Sequence, residues 1–181
     1  MDPRRAREAV DWTYGECRLD SGSDKFGPFR SLVELWNDRR NGSSGLPPRS
    51  AFDFYDFKDW LGRVSIARIE REPFQVRFVL WGTKLAELWG VDYTNKLLGE
   101  LSETPEAWLD VELAYFKRMA KAPFIGIVQG SLMDHRKSYV HILGIDLPVG
   151  SAAGLTHVLS VHMAIDKKDD HLSRFPISRV V

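Results

Sequence analysis

The stretch "FVLWGTKLAELWGVDYTNKLLGE", residues 78–100, changes its hydrophobic period halfway along. Phe78, Val79, Leu80 and Trp81 are apolar without a break, as in a buried strand, and Gly82-Thr83 stops them. Leu85, Leu88 and Trp89 then fall at helical spacing for barely two turns before Gly90 ends that pattern too. The spacing predicts a strand that turns sharply at Gly82, a short helix beginning at Lys84 with Thr83 as its cap, and an irregular passage through Tyr93 and Leu97. A helix this short has few internal hydrogen bonds, so packing must hold it in place. Such a piece suits one wall of a pocket.

Working outward, "FQVRFVLW", residues 74–81, places Phe74, Val76, Phe78 and Leu80 on one face. The Val/Ile-rich run 63–70 lies close before it, and a hairpin is expected. Upstream, Phe29, Leu32, Val33 and Trp36 recur at i, i+3, i+4 and i+7, the mark of an amphipathic helix closed by Asn41-Gly42. Downstream, "TPEAWLDVELAYFKRMAKAP" gives the longest helix, with Thr104 as a cap and Pro105 at its first position. Its apolar face carries two rows, Trp108, Glu112, Tyr115 and Met119 beside Leu109, Leu113, Phe116 and Ala120. Three more strands are expected over 124–133, 138–147 and 156–165, joined by "DHRK" as a turn and "PVGSAAG" as a loop. Residues 1–28 read as a polar arm, 29–165 as the domain with its N-terminal helix, and 166–181 as a tail. Closely spaced strands pair antiparallel, and two alone cannot bury an apolar face. The expected fold is therefore α+β: a five-stranded antiparallel sheet with short helices and one longer helix on one face, preceded by the amphipathic helix.

Composition narrows the functional classes. The chain has 181 residues, and its 25 Lys plus Arg balance 25 Asp plus Glu, with no long block of either sign. That argues against a nucleic-acid or membrane-surface partner. Cys17 is the lone cysteine, which excludes an internal disulfide framework and a cysteine-built metal site. No secretory segment or bilayer-length apolar run is read, so a reducing cytoplasm is expected. Six Trp promise bulky walls. The five His residues read as half-exposed sheet positions rather than metal ligands; His157 and His162, an odd number apart, must point to opposite faces of a strand. No Gly-x-Ser-x-Gly elbow and no phosphate-cradling Gly-rich loop occurs.

The order of elements, with "LVELWNDRRNG", "LPPRSAFDF", "WLGRVSIARIE" and above all "VRFVLWGTKLAELWGVDYTNKLL", resembles a PAS domain. More narrowly, it resembles the PAS-like family of small soluble proteins common in alphaproteobacteria. The resemblance spans about Phe29 to Ile165. It implies a five-stranded antiparallel sheet, short helices on one face, a cavity between them, and homodimerisation through N-terminal elements. It implies no particular ligand. Heme-binding members supply a His from the long helix, and residues 105–122 contain none; flavin photosensors and thiol-linked chromophores need a Cys in the short-helix region, and residues 83–100 contain none. An axially ligated heme and a cysteine-linked flavin or chromophore are thereby argued against.

An apolar pocket with a few polar handles is left. The candidates around it are Phe78, Leu80, Leu85, Leu88, Trp89, Tyr93, Tyr115 and Phe116, with Glu112 read as surface-exposed or as an anchor for a cation. The expected function is a cytoplasmic, non-enzymatic sensory module that binds a small, largely apolar ligand and passes the change to a separate partner protein. The alternative is an interaction domain with a filled core, dimerising through Phe29, Leu32, Val33 and Trp36. A third reading, proton abstraction by a buried carboxylate, has Asp146 as its chief strand candidate and requires an inward-facing acid paired with a Tyr.

Overall fold

A computed structural model describes residues 12–40, 45–102, 105–132, 136–166 and 171–180. Seven strands form a single sheet: β1 Thr13–Cys17, β2 Val64–Arg71, β3 Phe74–Trp81, β4 Ile125–Leu132, β5 Lys137–Ser151, β6 Gly154–Ile165 and β7 Ile177–Val180. Their order is β3-β2-β6-β5-β4-β1-β7, and every pairing is antiparallel. The five expected strands occupy the left of that order. β1 and β7 extend the sheet beyond β4, so residues 12–17 are not a loose arm and the tail is not wholly peripheral. Tyr14 and Cys17 of β1 are buried, at 2% and 0% exposure. The rest of the expected arm, residues 1–11, lies outside the described residues, as do the Asn41-Gly42 stop, the Thr104 cap, the first half of the "DHRK" turn and the side chains of Trp108 and Leu109.

Among the described residues, three α-helices accompany the sheet: α1 Arg30–Arg39, α2 Thr83–Trp89 and α3 Pro105–Lys121. They do not share a face. α2 and α3 cover one side, over a core that includes Ala67, Val76, Phe78, Trp81, Val128, Ile142 and Val158. α1 and the turns around it cover the other, over Ile66, Ile125, Ile127, Leu143, Ile145, Leu147 and Val161. Phe29, Leu32, Val33 and Trp36, expected to form a dimer face, are instead 0–1% exposed inside this second core. The Trp36 indole N–H donates to the Pro148 carbonyl at 2.9 Å, which fixes the helix to β5. An amphipathic stripe reports only that a helix has an apolar side; here the chain supplies the surface that covers it.

The opening stretch divides where the sequence says, with two differences of mechanism. Gly82 has an ordinary backbone (φ −64°, ψ 149°), and it is needed for closeness: a Cβ there would lie 2.2 Å from the Gly62 carbonyl oxygen. Gly82, not Thr83, is the N-cap, so the helix starts without a side-chain cap bond. Lys137 on β5 donates to the carbonyls of Glu87 and Leu88, satisfying the free C-terminal end of α2 with a positive charge. The wandering passage after Gly90 has a purpose. It runs along the outer edge of β3, with Asn95 N–H donating to the Phe78 carbonyl and Leu98 N–H to that of Val76, and so blunts an otherwise open sheet edge.

Candidate functional site: an aromatic cavity with buried carboxylates

A cavity lies between the α2/α3 side of the sheet and those helices. It leaves about 50 Å³ for the centres of water-sized molecules, several times the ~10–15 Å³ that one water requires. Its walls are Trp12, Tyr14, Phe78, Trp81, Trp89, Tyr93, Leu98, Gly99 and Val128, and its polar side chains include Glu112, Asp146 and His162.

Of the expected pocket residues, Phe78, Trp89 and Tyr93 line this space. Leu85 and Phe116 are buried in the core beneath without reaching it, and Leu88 packs partly buried against that core. Leu80 does not belong: it is 40% exposed on the opposite face. A β-bulge causes the displacement. Ile66 pairs with Leu80 and Ala67 with Phe78, so Val79 is the extra residue, and strict alternation fails there. Trp81 takes the inward place that Leu80 was expected to hold.

The floor is built from three strands and a helix. Asp146 on β5 is 4% exposed and accepts two hydrogen bonds, from Tyr115 Oη–H of α3 at 2.8 Å and from Ser160 Oγ–H of β6 at 2.5 Å. Burial raises the Asp146 carboxyl above its ordinary range, and the bonds from Ser160 and Tyr115 pull it back down. Two absences of side chain make the floor possible. A Cβ on Gly126 would fall 1.7 Å from Tyr115 Oη, and one on Gly144 would fall 2.1 Å from His162 Cδ2. Glycine at 126 lets the tyrosine reach the carboxylate; glycine at 144 makes room for the imidazole, which stacks on Trp89 with ring centroids 5.1 Å apart.

Four lining residues present buried polar atoms with no hydrogen-bond partner among the described residues: Tyr14 Oη, Trp81 Nε1, Glu112 Oε2 and His162 Nδ1. Glu112 is partly exposed as a residue, but this oxygen is shut away from solvent. Burial pushes the Glu112 carboxyl up to about 8, with the Asp146 charge adding to the effect. Burial holds His162 down at about 4, so its ring is neutral at pH 7. His157 points to the other face, beside Val149 and Leu159, as the odd separation requires.

A comparison with protein-family models matches residues 25–156 to the PAS domain. The chain belongs to the PAS domain family. No curated protein and no solved structure matches it. A PAS domain of this kind is a sensory or interaction module. The matched span holds Phe78, Trp81, Trp89, Tyr93, Glu112, Tyr115 and Asp146, while Trp12, Tyr14, Ser160 and His162 lie outside it. Two of the four lining residues with unpartnered polar atoms, Tyr14 of β1 and His162 of β6, thus lie outside the matched span. Trp12 and Tyr14 were missed because the expected domain began at Phe29; Ser160 and His162 lay inside its last expected strand, where the histidine reads as half-exposed. The alternation of Trp12 and Tyr14 in "WTYGEC" was the available signal. No helix of the described residues is long and apolar enough to cross a membrane.

Proposed function

We propose that the protein is a PAS-type sensory module whose input is a small molecule with an apolar body and a polar end, held in the cavity between the sheet and α2/α3. The observation that carries this reading is the gathering of four unpartnered buried polar atoms on the walls of one ring-lined space. Unpaired buried groups cost roughly 1–3 kcal/mol each, so a fold that places four together gains by meeting them with a guest. At about 50 Å³ the cavity is a third of the ~150 Å³ that takes up benzene, so even a single-ring guest enters only as a wall moves outward, and a heme or flavin would need far more. α2 is the movable wall, since its seven residues depend on packing and on the Lys137 cap. The output route is β1. Tyr14 faces the cavity while Cys17, three residues on, sits in the second core. A shift in the ligand site thus reaches the covered face and the N-terminal segment, where a partner protein would read it.

The pairing of Asp146 with Tyr115 is the arrangement that the catalytic alternative asks for. Sensing is preferred because each Asp146 oxygen already holds a protein O–H donor, whereas a catalytic base needs an oxygen open to the substrate. The interaction reading has a different support: Phe54, Leu61 and Leu80 stand exposed along an open apolar groove beside β3.

Native mass spectrometry and thermal-shift screening of the freshly purified chain test the proposal. A retained small mass, or a stabilising compound that also changes tryptophan fluorescence, is expected; turnover of that compound would move the reading to catalysis. A protein with no retained mass and no stabilisation across a broad metabolite set, yet associating through the groove in a Leu80→Glu-sensitive manner, would replace sensing by interaction.

A further inference from the structure

Within the reading of this cavity as a ligand site, we propose that its guest is a small organic ammonium ion carrying N–H groups on an apolar or aromatic body. Three observations converge. The walls meet at corners: Trp81 and Trp89 cross at 89° with centroids 5.4 Å apart, and Phe78 and Trp81 at 79° with centroids 5.0 Å apart. Rings set at right angles form the sides of a box, and the negative faces of aromatic rings attract a desolvated cation.

The charge of the site has one sign. Glu112 and Asp146 face the cavity, and no Lys or Arg is among the described residues lining it. Arg118, on the same helix as Glu112, does not line the cavity: its Nε donates to Glu16 of β1 at 2.9 Å, while its guanidinium lies 5.9 Å from the Tyr115 ring centroid with Nη2 buried and unpartnered among the described residues. An anionic guest would meet two carboxyl groups with no counter-charge among the described lining residues. A guest with no polar hydrogen would leave Glu112 Oε2 unmet.

The hydrogen-bond directions agree. Asp146 receives two O–H donors, the pattern of an ionised acceptor, and needs nothing more. Glu112 Oε2 receives none. An N–H donor at that oxygen completes the site, which favours a primary or secondary ammonium over a quaternary one. The Trp81 indole N–H is free to donate to an oxygen elsewhere on the guest.

Binding of such a cation draws Glu112 into its ionised form, so proton release accompanies it. The groups facing Glu112 are Asp146 from β5, Tyr14 from β1 and neutral His162 from β6, with Arg118 on its own helix. Affinity therefore tightens as pH rises towards about 8, where the buried carboxyl ionises unaided.

The test uses the full chain and three probes of one shape, benzylammonium, benzyl alcohol and benzoate, by calorimetry with tryptophan fluorescence at pH 6.5 and 8.0. Benzylammonium is expected to bind, about tenfold or more tightly than the alcohol, with benzoate not binding. Its affinity should rise roughly tenfold between the two pH values. Glu112→Gln should weaken benzylammonium about tenfold or more and flatten that pH dependence while leaving the alcohol unchanged; Glu112→Asp, which keeps the charge, should retain part of the preference. Circular dichroism verifies that both variants fold. Equal binding of amine and alcohol, or Glu112→Gln without effect on the amine, overturns the ammonium assignment and leaves the cavity a ligand site of other chemistry. Failure of all three probes also overturns it, and the retained-mass measurement decides the broader reading independently.

Discussion

At the residue scale the chemistry rests on Glu112 and Asp146, two acids that share one cavity and differ in what meets them. Asp146 is paid in hydrogen bonds. Glu112 is not, and its carboxyl moves from the ordinary 4.5 to about 8. Between pH 6.5 and 8 the unfolded chain has an ionised Glu112, while the folded chain keeps a proton there. The folded state then binds more protons, and stability falls as pH rises through that window. His162 acts in the opposite sense at lower pH: neutral when folded and protonated when unfolded, it adds stability as pH rises from about 4 to 6.5. A urea midpoint that declines from pH 6.5 to 8 and levels off above is expected for the native chain, with the decline removed in Glu112→Gln. A flat native profile would contradict the burial of that carboxyl. Tyr115→Phe deletes one donor to Asp146 and should cost about 1–2 kcal/mol in denaturant unfolding; an unchanged midpoint would show the bond to be idle. Of these groups the sequence revealed Asp146 as a strand acid and Tyr115 as inward-facing. It could not show that Gly126 lets them touch, because the two positions lie 31 residues apart and meet only through a strand register.

At the element scale, some boundaries were legible and facing was not; β5 continues to Ser151 and β6 begins at Gly154, so most of the expected "PVGSAAG" loop is strand. Runs 74–81 and 105–121 emerge as read because a change of period and the Pro105 start are local signals. Leu80 went astray because a bulge is a property of a pair of strands, invisible in one. α1 was given to the wrong partner for a related reason: its apolar stripe matches either a second subunit or the back of its own sheet. The unbroken apolar runs "FIGIVQG" and "HILGIDLPVG" held the answer, since strands buried on both faces lose their alternation. Two substitutions follow. Trp36→Asp removes a fully buried ring and inserts a charge, so it should unfold the chain, with a loss above about 4 kcal/mol, rather than dissociate a dimer. A folded Trp36→Asp monomer would contradict this packing. Gly82→Ala forces a methyl against the Gly62 carbonyl and should cost about 1–3 kcal/mol, loosening α2 first; hydrogen exchange confined to residues 83–90 would register it.

At the scale of the whole molecule, one sheet carries two cores, and β1 belongs to both. The PAS frame was readable because its short-helix stretch is distinctive in sequence, but the strands added at the β4 edge come from segments rich in charge that resemble an arm. Those added strands matter to function, as Trp12 and Tyr14 close the cavity and β1 links it to the covered face. The indole N–H resonances of the native chain during titration with benzylammonium give the most direct view of whether a guest enters. Those of Trp12, Trp81 and Trp89 should shift together at saturable concentration, while that of Trp36, bonded to Pro148 in the other core, stays in place. Shifts led by Trp36, or none at the three cavity indoles with any small molecule that binds, would contradict a guest between the sheet and its short helix.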